Sequence, residues 1–209
     1  MRVAFLGASR GMGRALARRM AERGDRLFLL GRDLADLARS AADLEVLCGS
    51  PVETAACDLL QPESFAPALA SAERALGGLD AVVVTAGLFG TQEQLEADAE
   101  LRARVLVADF TNTVLFCELA RERLLAGGGG TLCVFSSVAG ERGRKPVVLY
   151  GAAKAGLSRY LEGLDHRFHE RGLRVVCVKP GFVRTGMTAG LPAPPFAGEP
   201  DAVAATVLA

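Results

Sequence analysis

Neither sign of charge is in excess in this 209-residue chain: 24 Lys and Arg stand against 24 Asp and Glu, for a net charge of zero. A nucleic-acid surface or a polybasic membrane tether needs a local surplus of Lys and Arg. The positive residues here are scattered, so neither nucleic acid nor an anionic membrane is expected as a partner. No stretch approaches the roughly 18 consecutive apolar residues that span a bilayer. The first apolar run, Val3 to Leu6, leads at once into a glycine-rich turn, unlike a secretory leader. Histidine is scarce: His166 and His169 fall three apart on an expected helix, with no Cys or third His nearby, so a solvated face is expected and no metal site. Cys48, Cys57, Cys117, Cys133 and Cys177 are odd in number with no pair at clamp or redox spacing, and read as free thiols. What remains is a soluble, cytoplasmic globular protein. Half the residues are apolar, and at about 150 residues per domain residues 1–209 are best read as a single domain.

Residues 2–6, 26–30, 80–85, 131–136 and 173–178 are short runs of Val, Leu, Ala, Phe and Cys with almost no alternation. Strands buried on both faces read this way and are parallel. Residues 45–57 are expected to hold a further strand ending at Cys57, broken at Gly49-Ser50-Pro51. Between these lie segments with helical spacing, 11–23, 33–42, 62–76, 98–126 and 150–171, many opening near Asp, Pro or Ser. Alternating strands and helices make βαβ units, whose right-handed crossovers lay helices on both faces of one sheet. The expected fold is a doubly wound parallel sheet in three α/β/α layers. Gly127 to Gly130 reads as a tight helix-to-strand turn, and the Pro-, Gly- and Ala-rich stretch within 186–200 as a mobile substrate loop.

The first strand runs into Gly7-Ala8-Ser9-Arg10-Gly11-Met12-Gly13, which opens a helix. Glycines there let the backbone approach a pyrophosphate, whose charge the helix N-terminus favours. At the end of the second strand an acidic side chain binds the adenosine ribose of NAD. Here that strand ends Leu30-Gly31-Arg32: Gly31 carries no carboxylate, while Arg32 and Arg10 supply two guanidinium groups suited to a 2′-phosphate. NADP is expected over NAD. Plain surface arginines, or one of them paired with Asp33, are the alternatives.

The fifth strand ends Phe135-Ser136-Ser137, followed by Tyr150 and, one helical turn on, Lys154. Residues at i and i+4 share a helix face, and a cation beside a phenol lowers its pKa from about 10 towards neutrality. Such a tyrosine gives a proton to a forming alkoxide or takes one from an alcohol, while Ser137 hydrogen-bonds the same oxygen.

Taken together with the glycine turn, these residues closely resemble the short-chain dehydrogenase/reductase family, over essentially the whole chain. The matching motifs are Gly7-x-x-x-Gly11-x-Gly13, Asp58-Leu59, Ala86-Gly87, Ser137, Tyr150-x-x-x-Lys154 and Pro180-Gly181-x-Val183-x-Thr185. The resemblance implies a Rossmann-like fold and a nicotinamide cofactor. It implies Tyr150 as acid/base, Lys154 on the nicotinamide ribose, Ser137 orienting substrate and Ser136 as structural. It further implies Asp58 and Leu59 flanking the adenine, and Thr185 and the backbone near Val183 holding the carboxamide. The helices at 98–126 and 150–171 match those through which the family forms homodimers and homotetramers.

Three departures from the family pattern stand out. Thr85 replaces the asparagine usual before Ala86-Gly87, and still hydrogen-bonds. Asp109 aligns with the asparagine that holds a relay water near the lysine, with Asn112 one turn on; Asp109 paired with a surface arginine is the alternative. The family continues through another helix and final strand, whereas here the helix beginning near Glu199 is expected to be barely formed before Ala209.

The loops expected at the substrate side, 88–97, 138–149 and 186–200, carry Leu88, Phe89, Val147, Val148, Leu149, Met187, Leu191 and Phe196. This apolar entrance suits a hydrophobic or lipid-linked ketone or alcohol, and the run from Ser136 to Arg142 is similar to that of keto-sugar-lipid reductases. Glu141-Arg142-Gly143-Arg144-Lys145 adds a charged cluster that is either a phosphate or sugar contact or a solvated loop. The rival function is a nucleotide-sensing regulator or scaffold without turnover.

Overall fold

The computed structural model describes residues 1–209. Six strands form one parallel sheet in the order β3-β2-β1-β4-β5-β6. They are β1 (Arg2–Leu6), β2 (Arg26–Gly31), β3 (Glu53–Ala56), β4 (Ala81–Val84), β5 (Gly130–Phe135) and β6 (Leu173–Val178). Because successive strand residues point to opposite faces, the near-continuous apolar strands feed two cores. Ala4, Leu6, Val82, Val84, Leu132 and Val134 pack on one side with α3 (Phe65–Leu76), α6 (Thr113–Ala126) and α7 (Val148–Phe168). Val3, Phe5, Leu27, Leu29, Val83 and Phe135 pack on the other with α1 (Gly11–Glu22), α2 (Leu34–Cys48) and α8 (Pro200–Leu208). The first core is pinned by Phe65 and Phe116, edge to face at 5.5 Å between ring centroids. The expected doubly wound, Rossmann-like architecture is what forms.

The structure corrects several element boundaries. The strand expected over 45–57 is only Glu53–Ala56. Leu37, Ala41 and Leu44 extend the apolar stripe of α2 as far as Cys48, and the chain turns at Gly49. The helix expected over 98–126 is broken, and the loop expected over 88–97 is half helix. Thr91 and Gln94 close a capping box that starts α4 (Gln92–Ala97), and Asp98 caps α5 (Ala99–Leu106) by accepting from the Leu101 N–H at 2.9 Å. A π-helical stretch, Val107–Asn112, then joins α5 to α6. Its wider turn is held by the Thr113 hydroxyl, which donates to the Ala108 carbonyl five residues back at 2.7 Å. Wide turns of this kind mark functional sites more often than chance, and this one carries Asp109. At the far end, α8 is fully formed: Arg19 of α1 grips Asp201 through two hydrogen bonds of 2.7 and 2.6 Å, and Ala204 is buried.

The chain runs β1, β2, β3 towards one edge and returns to place β4 on the other side of β1. The sheet therefore has its topological switch point between β1 and β4, where open α/β folds bind ligands beyond the carboxyl ends of the strands. No helix is long and apolar enough to cross a membrane.

Candidate active site

The glycine turn sits at that switch point, and its fit is dictated by backbone. A side chain at Gly13 would meet the Gly7 carbonyl oxygen at 2.1 Å and the Thr85 hydroxyl at 2.4 Å, and Gly7 has φ 101° with the Ala86 nitrogen 2.5 Å from where its Cβ would lie. The turn is thus pressed onto the segment after β4. Thr85, in place of the expected asparagine, donates to the Gly7 carbonyl at 3.0 Å and fastens the two together. A side chain at Gly11 would meet the Thr185 methyl at 3.3 Å, so the loop after β6 closes the same cradle. Gly7, Gly11, Gly13, Thr85, Ala86 and Thr185 therefore meet in one region, with Ser9 and Met12 in the same turn and Gly87 leading from it to Asp109 and Lys154.

The two arginines expected beside it differ. Arg10 is held by Asp36, which also takes Arg39 and is kept below the usual carboxylate range by the Arg10 hydrogen bond first of all. Asp33, weighed above as an arginine partner, instead caps α2, accepting from the Asp36 N–H at 3.0 Å. Arg32 is exposed and forms no ion pair. Beyond β3, Asp58 folds back to accept from the Leu60 N–H at 3.0 Å, and the Leu59 carbonyl accepts from Asn112 of the π stretch at 2.6 Å. Pro180 carries the link from β6 to Ser137: its carbonyl accepts from the Val138 N–H at 3.1 Å. Gly181 is exposed, and buried Val183 bridges to Gly198.

Ser137, Tyr150, Lys154 and Asp109 come together where β5, α7 and the π stretch meet. Small residues allow it: a side chain at Gly140 would lie 2.6 Å from the Ala155 nitrogen, and one at Gly151 would lie 2.7 Å from the Ala139 carbonyl. Ser136 fastens the contact from below, donating to the Lys154 carbonyl at 3.0 Å and lying 2.7 Å from the Ser158 hydroxyl. Ser137 accepts from the Ala139 N–H at 3.1 Å and faces the Tyr150 phenol. The Tyr150 ring packs edge-on against Phe89, with Lys154 Nζ 5.7 Å from its centroid.

The lysine was expected to draw the phenol pKa down. The structure reverses the sign: burial and then the Asp109 charge push it up, and only the Ser137 hydroxyl pulls the other way. Asp109, the second of these causes, is fully buried rather than paired with a surface arginine. One oxygen accepts from the Leu88 N–H at 2.7 Å; the other lies 3.7 Å from Lys154 Nζ and has no hydrogen-bond partner. Burial raises the Asp109 pKa, and Lys154 opposes that rise.

Sequence reasoning missed Gln92. It is buried, and its side-chain carbonyl accepts from the Leu149 N–H at 3.2 Å, steadying the turn before Tyr150. The Thr91-x-x-Gln94 box one residue earlier was the legible signal for the helix that carries it. The segment 186–200 is less free than expected. The Gly198 N–H donates to Phe182 and the Arg184 N–H to Gly198, at 2.8 and 3.0 Å, so the loop is clasped at its base with Phe196 fully exposed at its tip. Of the charged cluster, Glu141 pairs with Lys179 at 2.8 Å, while Arg142, Arg144 and Lys145 are exposed without ionic partners. His169 lies 3.7 Å from Asp165, and no cluster of metal-binding side chains forms.

A family model described as short chain dehydrogenase matches residues 2–194. The chain is a short-chain dehydrogenase. An uncharacterized oxidoreductase of Mycobacterium tuberculosis is 34% identical over 203 residues, covering 97% of this chain and 81% of that protein. The 3-oxoacyl-[acyl-carrier-protein] reductase of Bos taurus is 30% identical over 188 residues, 90% of this chain and 78% of its own. A Burkholderia cenocepacia short chain dehydrogenase solved with NADP superposes with TM-score 0.87 at 28% identity, over 99% of this chain and 88% of that one. As a short-chain dehydrogenase the protein is an oxidoreductase of a family that binds a nicotinamide cofactor. Its glycine cradle, which any Cβ at position 7 or 13 would fill, fits such a group.

Proposed function

We propose that this short-chain dehydrogenase is an NADP(H)-dependent oxidoreductase that interconverts a ketone and a secondary alcohol, with Tyr150 as general acid/base. The observation that carries the reading is the convergence of Ser137, Tyr150 and Lys154 beside the glycine cradle. When bound, the nicotinamide supplies or takes up the hydride. The chain's own groups do the rest. Tyr150 Oη exchanges a proton with the substrate oxygen, Ser137 Oγ orients that oxygen, and Lys154 holds the ribose. Gly7, Ser9, Gly11, Met12 and Gly13 cradle the pyrophosphate. Asp58 and Leu59 flank the adenine, Ala86 and Gly87 line the floor, and Pro180, Gly181, Val183 and Thr185 take the carboxamide. With Arg10 engaged by Asp36, Arg32 is the free guanidinium for a 2′-phosphate; the NADP in the Burkholderia relative supports the same preference.

Calorimetric titration tests this directly. NADPH should bind tighter than NADH by about tenfold, or about 1.4 kcal/mol, and Arg32→Ala should erase the difference. Equal binding of the two by the parent chain would reject the NADP assignment.

For substrate, exposed Met187, Val148 and Phe196 around the clasped loop favour a hydrophobic or lipid-linked carbonyl. The bovine relative's name, a 3-oxoacyl reductase, points to the same class. The five free thiols suit a reducing, cytoplasmic setting. Exposed Val107 and Phe110 of the π stretch and Leu115 of α6 form the face we assign to a homodimer or homotetramer. Light scattering should give twice or four times 21.9 kDa, and Phe110→Glu should return the chain to a monomer; a monomeric parent would overturn the assignment.

A further inference from the structure

We propose that Asp109 sets the working direction of this site: its buried carboxylate cancels the Lys154 charge and so holds Tyr150 as a protonated phenol, a donor fitted to carbonyl reduction rather than a base fitted to alcohol oxidation. The inference rests on the reading of Tyr150 as acid/base and adds a residue that acts on it from a distance.

Geometry carries it. Asp109 is 0% exposed and the Lys154 side chain 5%, so water does not screen one from the other. Few groups face the carboxyl. From α7 come Lys154 and Tyr150; from the segment after β4 comes the Leu88 N–H; β5 contributes only the Phe135 carbonyl, 3.4 Å from Lys154 Nζ. From β6 the Cys177 thiol also feels the Lys154 charge, but burial first of all pushes its pKa up and keeps it uncharged at neutral pH; no second cation offsets the carboxylate.

The hydrogen-bond pattern also favours the charged form. The first Asp109 oxygen accepts from an N–H, and the second faces an ammonium. A proton on that second oxygen would point at a donor, and the oxygen has no hydrogen-bond partner of its own. The carboxylate form is therefore the one that fits, despite the burial that disfavours it. A lysine beside a phenol normally stabilises phenolate; a lysine with an equal and opposite charge fixed at 3.7 Å does so much less. Position alone makes this available: the π stretch turns residue 109 inward, and the bare Gly87, whose Cβ would stand 2.9 Å from the Asp109 oxygen, gives it room.

Asp109→Asn tests the inference, because the amide oxygen still accepts from the Leu88 N–H while the charge is gone. The chain has two tyrosines and no tryptophan, so in a Tyr160→Phe background tyrosinate absorbance near 295 nm reports Tyr150 alone, with no cofactor or substrate present. Adding Asp109→Asn should bring the onset of tyrosinate down by one pH unit or more, about tenfold more phenolate at a given pH. An unchanged or higher onset overturns the proposal. Should the single change fail to fold, Asp109→Asn with Lys154→Met removes both charges at once: an onset within half a unit of the parent supports the cancelling pair, and a clear rise rejects it. These readings stand even if the chain proves to be no NADP-dependent enzyme. Where turnover is measured at saturating substrates, Asp109→Asn should raise kcat for oxidation relative to kcat for reduction at neutral pH about tenfold, the Michaelis constants shifting to keep the same overall equilibrium, with the alkaline limb of oxidation moved to lower pH. Mere loosening of the site would lower both directions together.

Discussion

Tyr150→Phe should lower kcat for carbonyl reduction by about a hundredfold to ten-thousandfold, the range a positioned general acid contributes, or about 2.7–5.5 kcal/mol of barrier. Cofactor binding should survive. The substitution keeps the ring that packs edge-on against Phe89 at 5.2 Å between centroids, and removes only the oxygen that faces Ser137. The phenol is raised in pKa by burial, so at neutral pH it enters the reaction as a donor, and no other side chain beside Ser137 stands ready to take its place. Steady-state kinetics on a panel of hydrophobic ketones, with calorimetry for the cofactor, separates the two effects. If the biological activity of the chain is untouched by Tyr150→Phe, the protein is a nucleotide sensor on the same scaffold and the catalytic reading falls.

Gly13→Ala should damage both the fold and the cradle. The added methyl would overlap the Gly7 carbonyl at 2.1 Å, which is backbone, and the Thr85 hydroxyl at 2.4 Å, which is itself bonded to that carbonyl. To make room, the turn must part from the segment after β4, breaking the 3.0 Å bond from Thr85 to Gly7. Overpacking of a tight site costs about 1–3 kcal/mol, and about 2–4 °C of Tm per kcal/mol at this size. NADPH affinity should fall about tenfold or more, since the backbone that would contact the pyrophosphate is what moves. Gly163→Ala is the matched control: it lies on the exposed side of α7 with nothing within 4 Å of its Cβ. There the change should be neutral or stabilise by up to about 1 kcal/mol, by helix propensity. Equal loss in both variants, read by thermal melts and calorimetry, would show that the cradle is no tighter than an ordinary helix surface.

Reading the residues alone took the fold a long way, and the reason lies in its strands. Runs such as Val3 to Leu6 and Ala81 to Val84 are apolar on both faces, a pattern with few other uses in a chain of this size. Where the pattern was short or polar, it misled. Glu53–Ala56 is an edge strand with only partial burial, so its limits were hidden behind the apolar stripe that α2 carries as far as Cys48. The break in the helix over 98–126 was also missed, because a π turn changes hydrogen bonding without changing composition. The residues that would do the chemistry were legible as a set, since Ser137, Tyr150 and Lys154 sit on adjacent elements at fixed spacing. Their electrostatics were not. How far the lysine can favour phenolate depends on Asp109, 45 residues away in sequence, and no local spacing reveals that pair. The engagement of Arg10 by Asp36 across 26 residues is the same kind of fact.

The cradle at the switch point also bears on how the protein is made. Its walls come from Gly7 to Gly13, from Thr85 to Gly87 and from Thr185, so the first turn of the chain waits for contacts that lie nearly the whole sequence away. Parallel sheets bring such distant partners together slowly, because loop-closure entropy is spent before the contacts reward it. A nucleotide held by all three walls at once would bind only a chain that has finished folding, and would stabilise that state by mass action. Finished molecules would then be held back from the unfolded pool in proportion to the dinucleotide available, a dependence that partly folded ones would not share.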